Sequence, residues 1–99
     1  EFRRVLFRSP VAVGRFFIME DNVTAYLGRI AVLKEHRGKK VGAYLLRELE
    51  QEAKKRGAQF SMLGAQLHAK GFYEKLGYQP FGEEFDDCGK MHIHMRKTL

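Results

Sequence analysis

The chain of 99 residues has one cysteine, Cys88, no tryptophan and only two prolines. A single thiol excludes an internal disulfide framework and a cysteine-only zinc site. No apolar run approaches the ~20 residues that a membrane-spanning helix needs. The opening residues lack an apolar core and a small-residue cleavage site, which argues against secretion and for the cytoplasm. What is present is an ordinary globular composition, 44% hydrophobic and 30% charged, which excludes a chain kept disordered by its makeup. The length suits one domain, able to bury roughly 60–70% of its unfolded surface. Eighteen Lys and Arg against twelve Asp and Glu leave a net charge of +6. Such an excess attracts phosphate-bearing partners: a cofactor, a nucleic acid or an anionic membrane face.

Residues 1–9, EFRRVLFRS, carry three arginines and no clean period before Pro10. They read as a foreign or disordered leader, similar to translated adapter sequence, with the domain over 10–99. Residues 11–18 are apolar and β-rich. Glu20, Asp21 and Asn22 form a turn cluster, and residues 24–33 read as a second strand paired to the first. After the polar stretch KEHRGKK the period changes to 3.6. Val41, Leu45, Leu49 and Ala53 follow one another at i+4, with Leu46 beside them, and make one apolar stripe of an amphipathic helix. Glu50 with Lys54 and Glu52 with Arg56 add i,i+4 pairs, and Gly57 supplies the stop. Residues 58–63 predict a strand, 64–66 a junction and 67–76 a short helix closed by Gly77. Residues 78–85 and 91–95 predict a hairpin around Asp86, Asp87, Cys88 and Gly89. In its last strand Met91, Ile93 and Met95 alternate with His92, His94 and Arg96, one apolar face and one polar. The order β-β-α-β-α-β-β gives an α/β domain with a mixed sheet, its strand–helix–strand unit a right-handed parallel crossover.

The stretch from Arg37 to Gly42 leads from a strand into the long helix. Unpaired N–H groups and a positive dipole end await an anion at such a helix start. Gly38 and Gly42 leave the backbone uncovered, while Arg37, Lys39 and Lys40 add charge, a set suited to a pyrophosphate. The other reading is a plain solvated loop. Neither a Walker loop nor a dinucleotide-binding fingerprint occurs.

VLKEHRGKKVGAYLL resembles the acyl-CoA-binding motif of the GNAT superfamily of N-acetyltransferases, [QR]-x-x-G-x-[GA]. Arg37 and Gly42 match its first and last positions, and Lys40 replaces its central glycine. GFYEKLGY, Gly71 to Tyr78, is similar to the family's FYEKLGF signature. GEEFDDCGKMHIHM, Gly82 to Met95, resembles the end of a bacterial subgroup of small GNAT proteins. The resemblance covers residues 10–97 and implies a C-terminal portion of the acyl-CoA N-acyltransferase fold, which opens with further elements before this hairpin.

The resemblance implies transfer of an acetyl group from acetyl-CoA to a primary amine of a small molecule or protein, with no metal. Two splayed parallel strands, residues 25–33 and 58–63, would admit the acyl-CoA. The main chain of Ile30, Ala31 and Val32 would hold its pantetheine arm, and Arg37, Gly38, Lys39, Lys40, Val41 and Gly42 its pyrophosphate, with Gln66 and Tyr73 along the path. Tyr73 matches the tyrosine that protonates the departing thiolate, a phenol still protonated at neutral pH; the alternative is a core aromatic beside Phe72. For the base, Glu83 and His92 match subgroup positions, and an unperturbed imidazole suits the task. His92 and His94 on one strand make a weak metal signal without a third ligand. His68 reads as structural or exposed, and Cys88, between aspartates and glycine, as no nucleophile. Two alternatives stand beside the enzyme: a degenerate CoA-binding fragment without turnover, and a basic nucleic-acid-binding module. Against the latter, the cations are interleaved with Glu35, Glu48, Glu50 and Glu52. An uncovered edge at residues 11–18 predicts poor solubility or homodimerisation.

Overall fold

The computed structural model describes residues 4–8, 12–32 and 40–99; side chains are described over 13–28, 30 and 40–99. The elements run β1 (Arg4–Arg8), β2 (Ala12–Ile18), β3 (Thr24–Val32), α1 (Val41–Lys55), β4 (Phe60–Gln66), a 3₁₀ turn (Leu67–Ala69), α2 (Lys70–Lys75), β5 (Gln79–Asp87) and β6 (Lys90–Thr98). The strands form one mixed sheet in the order β1-β2-β3-β4-β6-β5. The expected α/β class and the succession from β2 onward hold. β1 is an addition: it pairs antiparallel with β2, Arg4 opposite Phe17 and Arg8 opposite Val13. That ladder corrects the expectation of disorder for residues 4–8, and it means that β2 is not the sheet's edge.

The heart of the core is the contact of α1 with β2 and β3. Leu45, Leu46, Leu49 and Ala53 are fully buried against Phe16, Ala25 and Leu27, as the i+4 stripe requires, each large side chain contributing ~1.5–3 kcal/mol of burial. Close approach is possible because β2 carries Gly14: a Cβ there would stand 2.9 Å from Leu49 Cδ1 and 3.3 Å from Leu45 Cδ2. The helix stops at Gly57, whose φ of 96° is open to glycine without strain.

Glu52 reaches Arg56 Nε at 3.2 Å, as expected of an i,i+4 pair, but Glu50 does not turn to Lys54. It points inward, where Oε2 accepts from the Tyr78 hydroxyl at 2.7 Å and Oε1 from Lys97 Nζ at 3.0 Å. Ser61 Oγ lies 2.6 Å from the same Tyr78 hydroxyl. This buried knot ties α1 to β4, β6 and the segment after α2. A carboxylate can be buried there because all its partners are present.

β4 continues through residues 64–66, expected as a junction, because Gly64, Ala65 and Gln66 pair with His94, Ile93 and His92 of β6. Residues 67–76 divide into the 3₁₀ turn and α2. The tighter winding shifts the helical phase, so the apolar Leu67 and Phe72 are exposed while Tyr73 and Leu76 pack on the core. β5 and β6 run longer than expected, to a two-residue turn with Cys88 at φ 56° and Gly89 at φ 82°, the signs of a type I′ hairpin. Asp86 Oδ1 accepts from the Gly89 N–H at 2.8 Å.

Candidate functional site

β3 and β4 pair in parallel only from Thr24 opposite Phe60 to Leu27 opposite Leu63. Beyond that, residues 28–32 of β3 remain bonded to β2, and residues 64–66 of β4 to β6. The strands therefore part in mid-sheet. A cavity of about 580 Å³ occupies the parting. Side chains alternate between the two faces of a strand, and both sets line it. Leu27, Leu63, Ala69 and Tyr73 come from the helix-covered side. Phe17, Tyr26, Phe85, His92, Arg15 and Asp87 come from the other. The opening thus passes through the sheet.

Tyr73 is held over this opening by ring contacts. Its ring meets Phe72 edge-on at 5.1 Å and Tyr78 at 6.0 Å, and Tyr78 N–H donates to its carbonyl at 3.1 Å. The position expected for a proton donor therefore lines the cavity. Burial pushes the phenol above its ordinary range, so it keeps its proton at neutral pH.

His92 lies across the opening. Its Nδ1 donates to the Lys90 carbonyl at 2.8 Å; a carbonyl oxygen only accepts, so in the neutral ring Nε2 carries the lone pair. The ring stacks on Phe85 at 5.7 Å, and Phe85 on His94 at 4.4 Å. The polar face expected of β6 is thus part of an aromatic row that continues through Tyr26, 6.0 Å from His94, to Phe17, 5.6 Å further on. Sequence reading missed Phe17, Tyr26 and Phe85 as wall residues; their alternation with buried neighbours was the available signal. Burial, and after it the charge of Asp87, raises the Tyr26 phenol.

Gln66 and Ile30 line the cavity. The main chain of Ala31 and Val32 pairs with Val13 and Ala12 of β2, leaving the β4 side of these residues without a strand partner. His68 is exposed on the cavity rim. Glu83 is not brought to the site: it is exposed, in the irregular stretch between Phe81 and Phe85 where the β5–β6 register shifts, and outside the cavity wall. Arg37, Gly38 and Lys39 lie outside the described residues.

α1 begins with Val41 and Gly42 close to α2: a Cβ on Gly42 would stand 3.5 Å from Phe72 Cζ. The helix has no side-chain cap and no acidic residue in its first turn. Lys40, at the N-cap, adopts φ 63° and ψ 14°, the left-handed region that favours glycine. Among the described residues, no group of three or more His, Cys, Asp or Glu is placed to hold a metal, and no helix is long and apolar enough to cross a membrane.

The Acetyltransferase (GNAT) domain family matches residues 5–99. The uncharacterised N-acetyltransferase YjcF of Bacillus subtilis is 43% identical over 90 residues, covering 90% of this chain and 63% of its own length. The crystal structure of Escherichia coli ElaA superposes with a TM-score of 0.80 at 29% identity, over 97% of this chain and 68% of that one. A Lactobacillus plantarum crystal structure superposes with a TM-score of 0.86 at 26% identity, over 100% of this chain and 70% of that one. The chain spans about three fifths of the length of the curated relatives it matches, 60% for YyaT of Bacillus subtilis. With the parted parallel strands, the aromatic signature over the gap and the uncapped helix beside it, this places the chain in the GNAT acetyltransferase family.

Proposed function

We propose that the chain is the C-terminal part of an N-acetyltransferase that moves an acetyl group from acetyl-CoA to a primary amine. The observation that carries this reading is the through-sheet cavity with the Tyr73 ring on one wall and His92 on the other. The residues present fit a CoA ester. The β3 main chain from residue 28 to 32 offers groups free of β4, and the first-turn N–H groups of Val41, Gly42 and Ala43 meet no capping side chain. These groups suit an amide-bearing arm and a diphosphate respectively. Lys40 adds a full positive charge at the same point, with Arg37, Gly38 and Lys39 leading into it.

Acetyl-CoA supplies an activated thioester carbonyl. His92 Nε2 takes a proton from the acceptor ammonium, releasing the neutral amine that forms the new C–N bond. Tyr73 Oη gives its proton to the sulfur as the C–S bond breaks, so CoA leaves as the thiol, and the second proton shed by the nitrogen as the amide forms passes through solvent to restore the phenol. Gln66 orients the amide-bearing arm at the end of β4. Glu83 has no part in this scheme.

Equilibrium titration with acetyl-CoA and a thiol-release assay over a panel of primary amines test the proposal. Binding with amine-dependent thiol release is expected. Absence of acetyl-CoA binding overturns the reading. Binding without release on any amine leaves a CoA-binding fragment without turnover.

A further inference from the structure

The half of the cavity away from the helices holds a charged group that the acetyl-transfer scheme does not use. Arg15 of β2 lines the cavity and is half-buried. It has no ion pair and no hydrogen bond among the described residues. A half-buried guanidinium ordinarily finds a carboxylate or a row of carbonyls, because five donors without acceptors are costly away from water. Its neighbour in the ladder is Gly28, and a Cβ built on Gly28 would meet nothing within 4 Å. Space therefore lies open beside Arg15, on the wall whose next residues are the stacked rings of Phe17 and Tyr26.

The opposite flank has the opposite charge. Asp87, at the end of β5, lines the same cavity and has no basic side chain within ion-pair distance among the described residues. His92 lies between. From β2 to β6 there are three strand spacings, roughly 14 Å between backbones before the parting is added. Both Arg15 and His92 line this one cavity, so a small molecule that carries an amine and a carboxylate can meet the two at once.

We infer that the acceptor is an amino carboxylate with an apolar or ring-bearing body. Its carboxylate seats on Arg15, its body lies along Phe17 and Tyr26, and its amine turns toward His92 and Asp87. The planar guanidinium suits a carboxylate held by two parallel hydrogen bonds. This inference rests on the reading of the cavity's outer half as the acceptor side.

Phenylalanine and 2-phenylethylamine differ by the carboxylate alone and serve as probes. Calorimetric titration of the chain with each should give phenylalanine at least about tenfold tighter binding, the usual scale of a charge-assisted hydrogen-bonded pair. Arg15→Gln should bring the two probes together by weakening phenylalanine, and Arg15→Lys should keep part of the preference. Equal affinities, no binding of either probe, or a preference that survives Arg15→Gln overturns the inference. A parallel titration with CoA separates the two readings. CoA binding without a phenylalanine preference sinks this inference alone, and the preference without CoA binding sinks acetyl transfer alone.

Discussion

Tyr78→Phe removes one oxygen from the buried knot of Tyr78, Glu50, Ser61 and Lys97. That oxygen donates to Glu50 Oε2 at 2.7 Å and sits 2.6 Å from Ser61 Oγ, with Tyr78 and Ser61 both almost wholly buried. Its loss leaves a buried carboxylate oxygen and a buried hydroxyl without their partner. Stranding a charged acceptor costs ~2 kcal/mol or more, and the neutral hydroxyl adds ~1 kcal/mol. The expected loss is therefore about 3 kcal/mol. At 4–8 °C per kcal/mol for a domain of this size, the melting temperature should fall by roughly 12–24 °C. Lys97 still reaches Glu50 Oε1, but it does not replace the partner lost at Oε2. Denaturant unfolding and calorimetry measure it. Adding Glu50→Gln to Tyr78→Phe should cost less than the two single losses combined, because both act on one hydrogen bond. A loss under ~0.5 kcal/mol, or strict additivity, refutes the claim that the knot holds α1 to the sheet. Burial, and then the neighbouring carboxylate, keep the Tyr78 phenol far above its usual range, so this hydroxyl should keep its proton as base is added past pH ~10.

Three other outcomes are expected. Lys40→Gly should raise stability by about 0.5–1 kcal/mol in denaturant unfolding, since the left-handed N-cap geometry suits glycine. Tyr73→Phe should cut thiol release by roughly 10²-fold or more while leaving the KM for acetyl-CoA nearly unchanged; full activity would remove the proton role. The Asp21 carboxyl is held below its ordinary value by the Thr24 hydroxyl and then by the Val23 N–H. A depressed folded-state value means that this turn's contribution is complete above about pH 4 and is lost as pH falls through the folded-state value. Asp21→Asn should therefore flatten the acid limb of the stability profile.

The sheet, the long helix and the parallel unit were legible because each rests on a local period. The stripe of Leu45, Leu49 and Ala53 can lie on only one side of a helix, and the alternation of β6 on only one face of a strand. Where a tertiary partner decides, the sequence misleads. Glu50 looked like the first member of an i,i+4 pair with Lys54, yet Tyr78 and Lys97, 28 and 47 residues away, outbid a surface contact worth a few tenths of a kcal/mol. The 3₁₀ start at residues 67–69 turned Phe72 outward and Tyr73 inward, a phase that no apolar count reveals. Residues 4–8 had no period of their own, and backbone pairing with β2 needs none. At the site, the signature around Tyr73 and the helix start at Val41 were readable from local motifs. Arg15, Tyr26 and Phe85 belong to three strands far apart in the chain, and only the register of the sheet brings them to one cavity.

An opening that passes through the sheet has a kinetic corollary. On the proposed reading, two molecules arriving from opposite faces would not displace each other, so a ternary complex would form whichever bound first, and no acylated side chain would have to store the group between visits. Double-reciprocal plots at several fixed acceptor concentrations would then intersect instead of running parallel.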